Sequence, residues 1–83
     1  MTTLTTDDSR TTLPANTKII IRASGIYQFS AAADADIEMS DSENGTYTKE
    51  FSIGDGSAKQ WVVRSGNWVR ASAAAVMQLI WEG

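Results

Sequence analysis

The feature that most constrains this chain is a series of short runs in which apolar and polar residues alternate. Tyr27 and Phe29 are two residues apart, as are Ile37 and Met39, so each pair lies on one face of an extended strand. Turn-forming residues separate the runs at near-regular intervals. The pattern predicts an all-β fold, a small antiparallel β-sandwich or barrel of about six to seven short strands.

Seven segments carry this strand pattern. They are residues 18–22, 26–30, 36–40, 46–53, 60–64, 68–72 and 73–81. The last segment also suits a helix, because Ala, Met, Gln and Leu favour helices. We interpret it as a strand, since Met77, Leu79 and Trp81 alternate with other residues and no helix cap precedes them.

Two connections predict hairpins. The segment after residues 36–40 ends in Asn44-Gly45, a strong hairpin signal, and its five polar residues indicate a longer loop.

A second predicted hairpin joins the fifth and sixth segments in one of two registers. With residues 65–66 as its turn, Val63 faces Trp68 and Trp61 faces Arg70. With the turn one residue later, Val63 faces Arg70 instead.

Residues 1–16 differ in composition from the rest of the chain. Six of the first twelve residues are Thr, and Pro14 disfavours a helix at Leu13. We predict an extended or flexible N-terminal arm at 1–16, followed by a single β domain at 17–83. The arm is either a disordered terminus or a segment that becomes ordered on a neighbouring molecule.

The chain contains no His and no Cys. This excludes His-dependent triads, Cys nucleophiles, disulfides and the usual zinc sites, so we expect no enzyme and no cofactor. With 83 residues the core is small, and domains of this size often use oligomerisation for stability. We therefore expect a homo-oligomer.

The formal charge of -3 argues against nucleic-acid binding, which needs a basic face. The longest apolar run, residues 73–77, is too short to cross a membrane, and no secretory signal is visible. Residues 31–60 hold seven acids and two Lys, a net charge of -5. The spacing of these acidic residues fits solvated loops better than a calcium site, because the predicted core residues Ile37 and Met39 lie between them.

Three Trp residues lie in the final 23 positions and either fill the core or form an interface with nearby Arg residues. The predicted interface residues, from the arm and from this region, are Leu4, Leu13, Pro14, Trp61, Arg64, Trp68 and Arg70.

The chain resembles small virion proteins of tailed bacteriophages. The resemblance rests on the Thr-rich arm leading into Leu-Pro-Ala-Asn-Thr at 13–17, on Ala-Ser-Gly-Ile-Tyr at 23–27 and on the Trp-Glu-Gly end. It implies a structural role in which the arm lies on a capsid surface and copies associate, for example as a trimer. The expected partner is the major capsid protein or another virion protein, and the expected location is the virion after synthesis in the host cytoplasm.

The predicted function is therefore that of a non-enzymatic capsid decoration (cement) protein, which binds and stabilises a larger assembly. The alternative is a carbohydrate- or receptor-binding β module of a phage tail or fibre, suggested by the Trp residues and the polar loops at 41–45 and 54–57.

Overall fold

A computed structural model describes residues 10–54 and 56–82, with the side chains of residues 11–54 and 56–81. The described part of the chain is all-β and contains eight strands. They are β1 (Arg10–Leu13), β2 (Ile19–Ile20), β3 (Gly25–Ala31), β4 (Ala35–Ser40), β5 (Thr48–Ile53), β6 (Ala58–Val63), β7 (Trp68–Ala71) and β8 (Ala75–Glu82). The all-β prediction is confirmed, whereas the predicted count of six to seven strands is wrong because β1 was not among them.

The strands form two antiparallel four-stranded sheets packed face to face. Sheet A has the order β1-β8-β3-β6, and sheet B has the order β2-β7-β4-β5. Each connection crosses from one sheet to the other, except the connection between β4 and β5. Eight strands in this order form a jelly roll, which is one kind of β-sandwich.

The core lies between the two inner faces. Tyr27 and Phe29 on β3 and Ile37 on β4 are fully buried, and Met39 is nearly so, as their alternation predicts. The ring of Phe29 meets that of Phe51 on β5 edge-on, with 5.2 Å between centroids. Aromatic contact thus joins the two sheets across the core.

Strand β1 occupies the last part of the predicted arm. Thr11 and Leu13 point inward and are buried, and they pair with Met77 and Ala75 of β8. Thr has a high β-propensity, but with one large apolar residue the run shows little apolar alternation, so its pairing with β8 decides that it is a strand. Residues 1–9 lie outside the described residues.

A tight turn leads from β1 to β2. Asn16 adopts a left-handed conformation with φ of 59°, and its N–H donates to the carbonyl of Ala71 over 2.7 Å. Asn tolerates this conformation better than most residues. The turn carries the chain from sheet A to sheet B.

The last segment is a strand, and the helical alternative is wrong. β8 lies inside sheet A and pairs with both β1 and β3. Ala75, Met77 and Leu79 are buried on its inner face. Pairing with both neighbours and burial of this alternating face in the core between the sheets outweigh the helix propensity of its Ala and Met residues.

The first predicted hairpin is confirmed, because β4 and β5 pair through the loop that contains Asn44 and Gly45. Pairing shifts by one residue near its middle. Ile37 lies opposite Phe51, but Glu38 lies opposite Lys49. The extra residue on β5 makes a β-bulge.

The second predicted hairpin is wrong in both registers, because β6 and β7 belong to different sheets. Residues 64–67 are held by the connection before β3 instead. The N–H of Gly66 donates to the carbonyl of Ile21, and the N–H of Ile21 donates to the carbonyl of Asn67, both over 2.8 Å. The N–H of Ser65 donates to the Ser24 hydroxyl, also over 2.8 Å. These bonds turn the chain across the sandwich rather than back along β6.

Candidate functional site

The outer face of sheet A, hereafter the outer A face, is the strongest candidate for a functional surface. Ten of its side chains are described, and the strand register arranges them in three rows across the sheet. The apolar row contains Trp81, Ile26 and Val62. The glutamine row contains Gln78, Gln28 and Gln60, and Arg10 of β1 lies opposite Gln78 at its edge. The small-residue row contains Thr12, Val76, Ser30 and Ala58.

The three glutamines come from distant parts of the chain. Gln28 is the middle member, with Gln60 directly opposite on one side and Gln78 on the other. An amide group both donates and accepts hydrogen bonds, so neighbouring glutamines in a row can bond to one another and to a partner. The three amides therefore provide polar contacts that carry no charge.

A β-bulge brings Trp81 to this face. Leu79 lies opposite Tyr27 and is buried, but Trp81 lies opposite Ile26, so Ile80 has no residue opposite it on β3. The extra residue reverses the alternation of β8. The side chain of Trp81 is consequently 70% exposed, although its spacing from Leu79 predicts burial.

The described side chains of the outer A face are uncharged, and several of them are apolar and exposed. Val62 is 69% exposed, close to the value for Trp81. Ile80, which precedes Trp81 in the chain, is 43% exposed. None of the ten described side chains of the face is charged. Depletion of charge together with an exposed aromatic residue is the composition of an interface centre rather than of an ordinary surface.

The small-residue row borders an open groove of about 440 Å³. Thr12, Ser30, Ala58 and Val76 line it together with small residues of the adjoining loops. Because these side chains are short, the groove can admit an apolar side chain of a partner.

The outer face of sheet B differs in that charged side chains are paired on it. Arg70 Nε donates to Glu38 Oε1 over 2.8 Å, and the Arg70 guanidinium lies 4.4 Å from the centre of the Tyr47 ring. Burial raises the pKa of the Tyr47 hydroxyl, while the positive charge of Arg70 partly opposes this shift. Lys18 lies 5.6 Å from the same ring. The predicted interface residue Arg70 is therefore engaged within its own chain.

The other predicted interface residues are spread over the molecule. Leu13 is fully buried in the core, so it is not a surface residue, whereas Pro14 is exposed in the turn after β1. Trp61 is partly buried, with its ring 4.5 Å from that of Phe51. Leu4 lies outside the described residues.

The two remaining predicted interface residues, Arg64 and Trp68, lie at different places on the surface. Arg64 is exposed in the connection after β6. Trp68 is half-buried on the outer face of sheet B, opposite Ile20 and Ser40. The structure does not bring the predicted interface residues together in one patch.

Sequence reasoning missed the residues that do form a patch. Val62 and Gln60 lie on the outward side of β6, where alternation with the buried Val63 was the available signal. The grouping of the glutamines had no such signal, since it depends on which strands pair.

The acidic residues of 31–60 are dispersed over strands and loops. Asp36 accepts a hydrogen bond from the Ser52 hydroxyl over 2.7 Å, and Asp41 is exposed at the end of β4. Within residues 10–54 and 56–82, no three acidic side chains converge as metal ligands would.

A polar cavity of about 500 Å³ lies at the start of the loop between β4 and β5. Ser40, Asp41, Thr46, Glu50 and Asn67 contribute to its lining. Its carboxylate, amide and hydroxyl groups suit a polyhydroxylated ligand better than an apolar one.

Comparisons with known proteins assign no family to the chain. No protein-family model matches it, and no curated protein or solved structure is significantly similar to it. Among the described residues there is also no helix that is long and apolar enough to cross a membrane.

Proposed function

We propose that this chain is a non-enzymatic structural protein that binds a larger assembly through the outer A face. The observation that carries the proposal is the uncharged apolar row, in which Trp81 and Val62 are each about 70% exposed. In a chain with a net charge of -3, a face whose ten described side chains are all uncharged is suited to contact with protein rather than with water.

The proposed assembly is a virion, and the proposed partner is the major capsid protein or another virion protein. The resemblance of the sequence to small bacteriophage virion proteins supports this choice. The jelly roll adds support by analogy, since viral capsid domains use this architecture, although lectin domains use it too.

The test is co-sedimentation of the protein with purified candidate capsids. Trp81→Ala is expected to weaken binding by about 30-fold, the effect of losing about 2 kcal/mol at a central aromatic contact. Trp68→Ala makes the same chemical change on the outer face of sheet B and should leave binding within about threefold, or about 0.7 kcal/mol, of the original protein.

Unchanged binding by the Trp81→Ala protein would contradict the proposal, as would a loss confined to Trp68→Ala. Removal of residues 1–9 tests the arm separately, because this truncation leaves β1 and Leu13 in place. If the arm lies on the capsid, the truncated protein should bind more weakly while its unfolding free energy is unchanged.

A carbohydrate-binding function is the second candidate, and the polar cavity beside Asp41 favours it. Trp68 follows the lining residue Asn67 directly and lies opposite Ser40, so an aromatic ring is nearby. This candidate predicts that Asp41→Ala abolishes retention on a glycan array and that Trp81→Ala does not. Failure of the unaltered protein to retain any glycan at high concentration would exclude it.

A further inference from the structure

The two sheets have four edge strands, and these differ in how well they are protected from pairing with another chain. Within the described residues β1 has four residues and β2 has two, so both offer short edges there. β5 and β6 have six residues each. A long, regular edge strand presents a row of unpaired backbone groups, and proteins usually protect such edges with charges, bulges or prolines.

β5 carries this protection and β6 carries little of it. The bulge between the partners of Ile37 and Glu38 interrupts β5, which also bears Lys49 and Glu50. β6 pairs with β3 in an unbroken register, from Val63 opposite Gly25 to Ala58 opposite Ser30. Its single charged residue is Lys59. Among the described strands, β6 is therefore the edge that is both regular and open.

We propose that two copies of this chain pair through their β6 strands, antiparallel, about a two-fold axis at Gln60. The two copies of sheet A then form one continuous eight-stranded sheet. The proposal is independent of the proposed function, because it uses an edge of sheet A and leaves the outer A face free.

The chemistry of β6 selects the axis position. Residues directly opposite each other in an antiparallel pair point to the same face of the sheet. Because successive residues of a strand point to opposite faces, two copies of β6 can face each other only if one residue lies opposite its own copy. The two-fold axis passes through that residue. An axis at Lys59 would place two ammonium groups opposite each other, and an axis at Trp61 would place Gln60 opposite Val62. An axis at Gln60 avoids both.

With the axis at Gln60, every facing pair is compatible. Ala58 lies opposite Val62 of the second copy, and Lys59 lies opposite the Trp61 ring of that copy. Lys59 Nζ already lies 6.0 Å from the centre of the Trp61 ring within its own chain. The Trp61 ring of the second copy would offer it a further cation–π contact.

The same axis extends the glutamine row. The two copies of Gln60 become neighbours, so the three glutamines of each chain form a row of six. The outer A face is doubled in width at the same time. Glutamine suits this position because its amide is self-complementary across a two-fold axis, being both donor and acceptor.

Opposite charges at the axis provide the test. Gln60→Lys and Gln60→Glu each place like charges opposite each other in a homodimer, whereas the mixture of the two variants places opposite charges there. In sedimentation equilibrium between about 1 μM and 1 mM, the range for small interfaces, the unaltered protein should approach twice the 9.0 kDa of one chain. Each variant alone should remain at 9.0 kDa, and the equimolar mixture should again approach the dimer mass.

A disulfide test locates the axis directly, since the chain has no cysteine of its own. Gln60→Cys should form a disulfide-linked dimer on oxidation, because residues opposite each other on antiparallel strands have Cα atoms about 4.5–5.5 Å apart. Val62→Cys should not cross-link with itself but should cross-link with Ala58→Cys.

Three results would overturn the proposal. They are a monomer at all concentrations, a mixture of charge variants that stays monomeric, and a trimer mass for the unaltered protein. Capsid binding is measured separately, so a dimer that binds no capsid would refute the proposed function and leave this inference standing.

Discussion

The loss of stability caused by Trp81→Ala distinguishes the exposed position of Trp81 in the structure from the buried position that sequence alternation predicts. Alternation with Met77 and Leu79 predicts a core residue, and replacing a core Trp by Ala costs about 3–5 kcal/mol. The bulge at Ile80 instead leaves Trp81 70% exposed. The two interpretations therefore predict different losses of unfolding free energy.

The expected loss follows from the buried fraction. A Trp side chain can bury up to about 250 Å², and 30% of this, about 75 Å², is removed from water in the folded chain. At about 25 cal/mol per Å² this area contributes about 2 kcal/mol, and a compact unfolded state reduces the contribution to about 1–2 kcal/mol. Leu79→Ala, at a site 6% exposed, should cost about 2–5 kcal/mol.

The assay is urea unfolding followed by far-UV circular dichroism, because replacing one of three Trp residues alters the fluorescence signal itself. A domain of 83 residues has a stability of roughly 4–12 kcal/mol, so the Trp81→Ala protein should remain folded. The Leu79→Ala protein should be the less stable of the two. A loss of about 3 kcal/mol or more for Trp81→Ala would refute the bulge and the outward position of the ring.

Two further predictions concern stability. The folded state raises the pKa of Tyr47. The contribution of this residue to the free energy of unfolding is therefore fully present below the unfolded pKa of 10.0 and is lost as the pH rises through the folded pKa. Between pH 8 and a pH above 10, the unfolding free energy should therefore fall less for the Tyr47→Phe protein than for the original protein. An equal fall in the two proteins would contradict a raised pKa for Tyr47. At Asn16, with φ of 59°, replacement by Ala should cost about 1–2 kcal/mol and replacement by Gly should change stability little. Thermal denaturation measures both, and equal melting temperatures for the two variants would count against a left-handed turn.

The positions of most strands could be predicted because alternation is a local property. The runs around Phe29 and Ile37 have one apolar face each, and both faces are buried in the sandwich. The hairpin at Gly45 was predictable for a similar reason, since the turn residues lie between the strands they connect.

The candidate surface could not be predicted, because its three rows depend on which strands pair. Gln28 and Gln78 are 50 residues apart in the chain and lie opposite each other in sheet A. The failed prediction of a hairpin between β6 and β7 has the same origin. A turn at Gly66 is compatible with a hairpin, but hydrogen bonds to Ile21 direct the chain to the other sheet.

The sequence by itself determined the fold class, the faces of most strands and the absence of cysteine and histidine chemistry. These properties depend on residue types and on the two-residue period of an extended chain. The tertiary structure decided the pairing of strands, the inclusion of β1 and the outward position of Trp81. These depend on contacts between distant segments, in which a single extra residue such as Ile80 reverses the face on which a side chain lies.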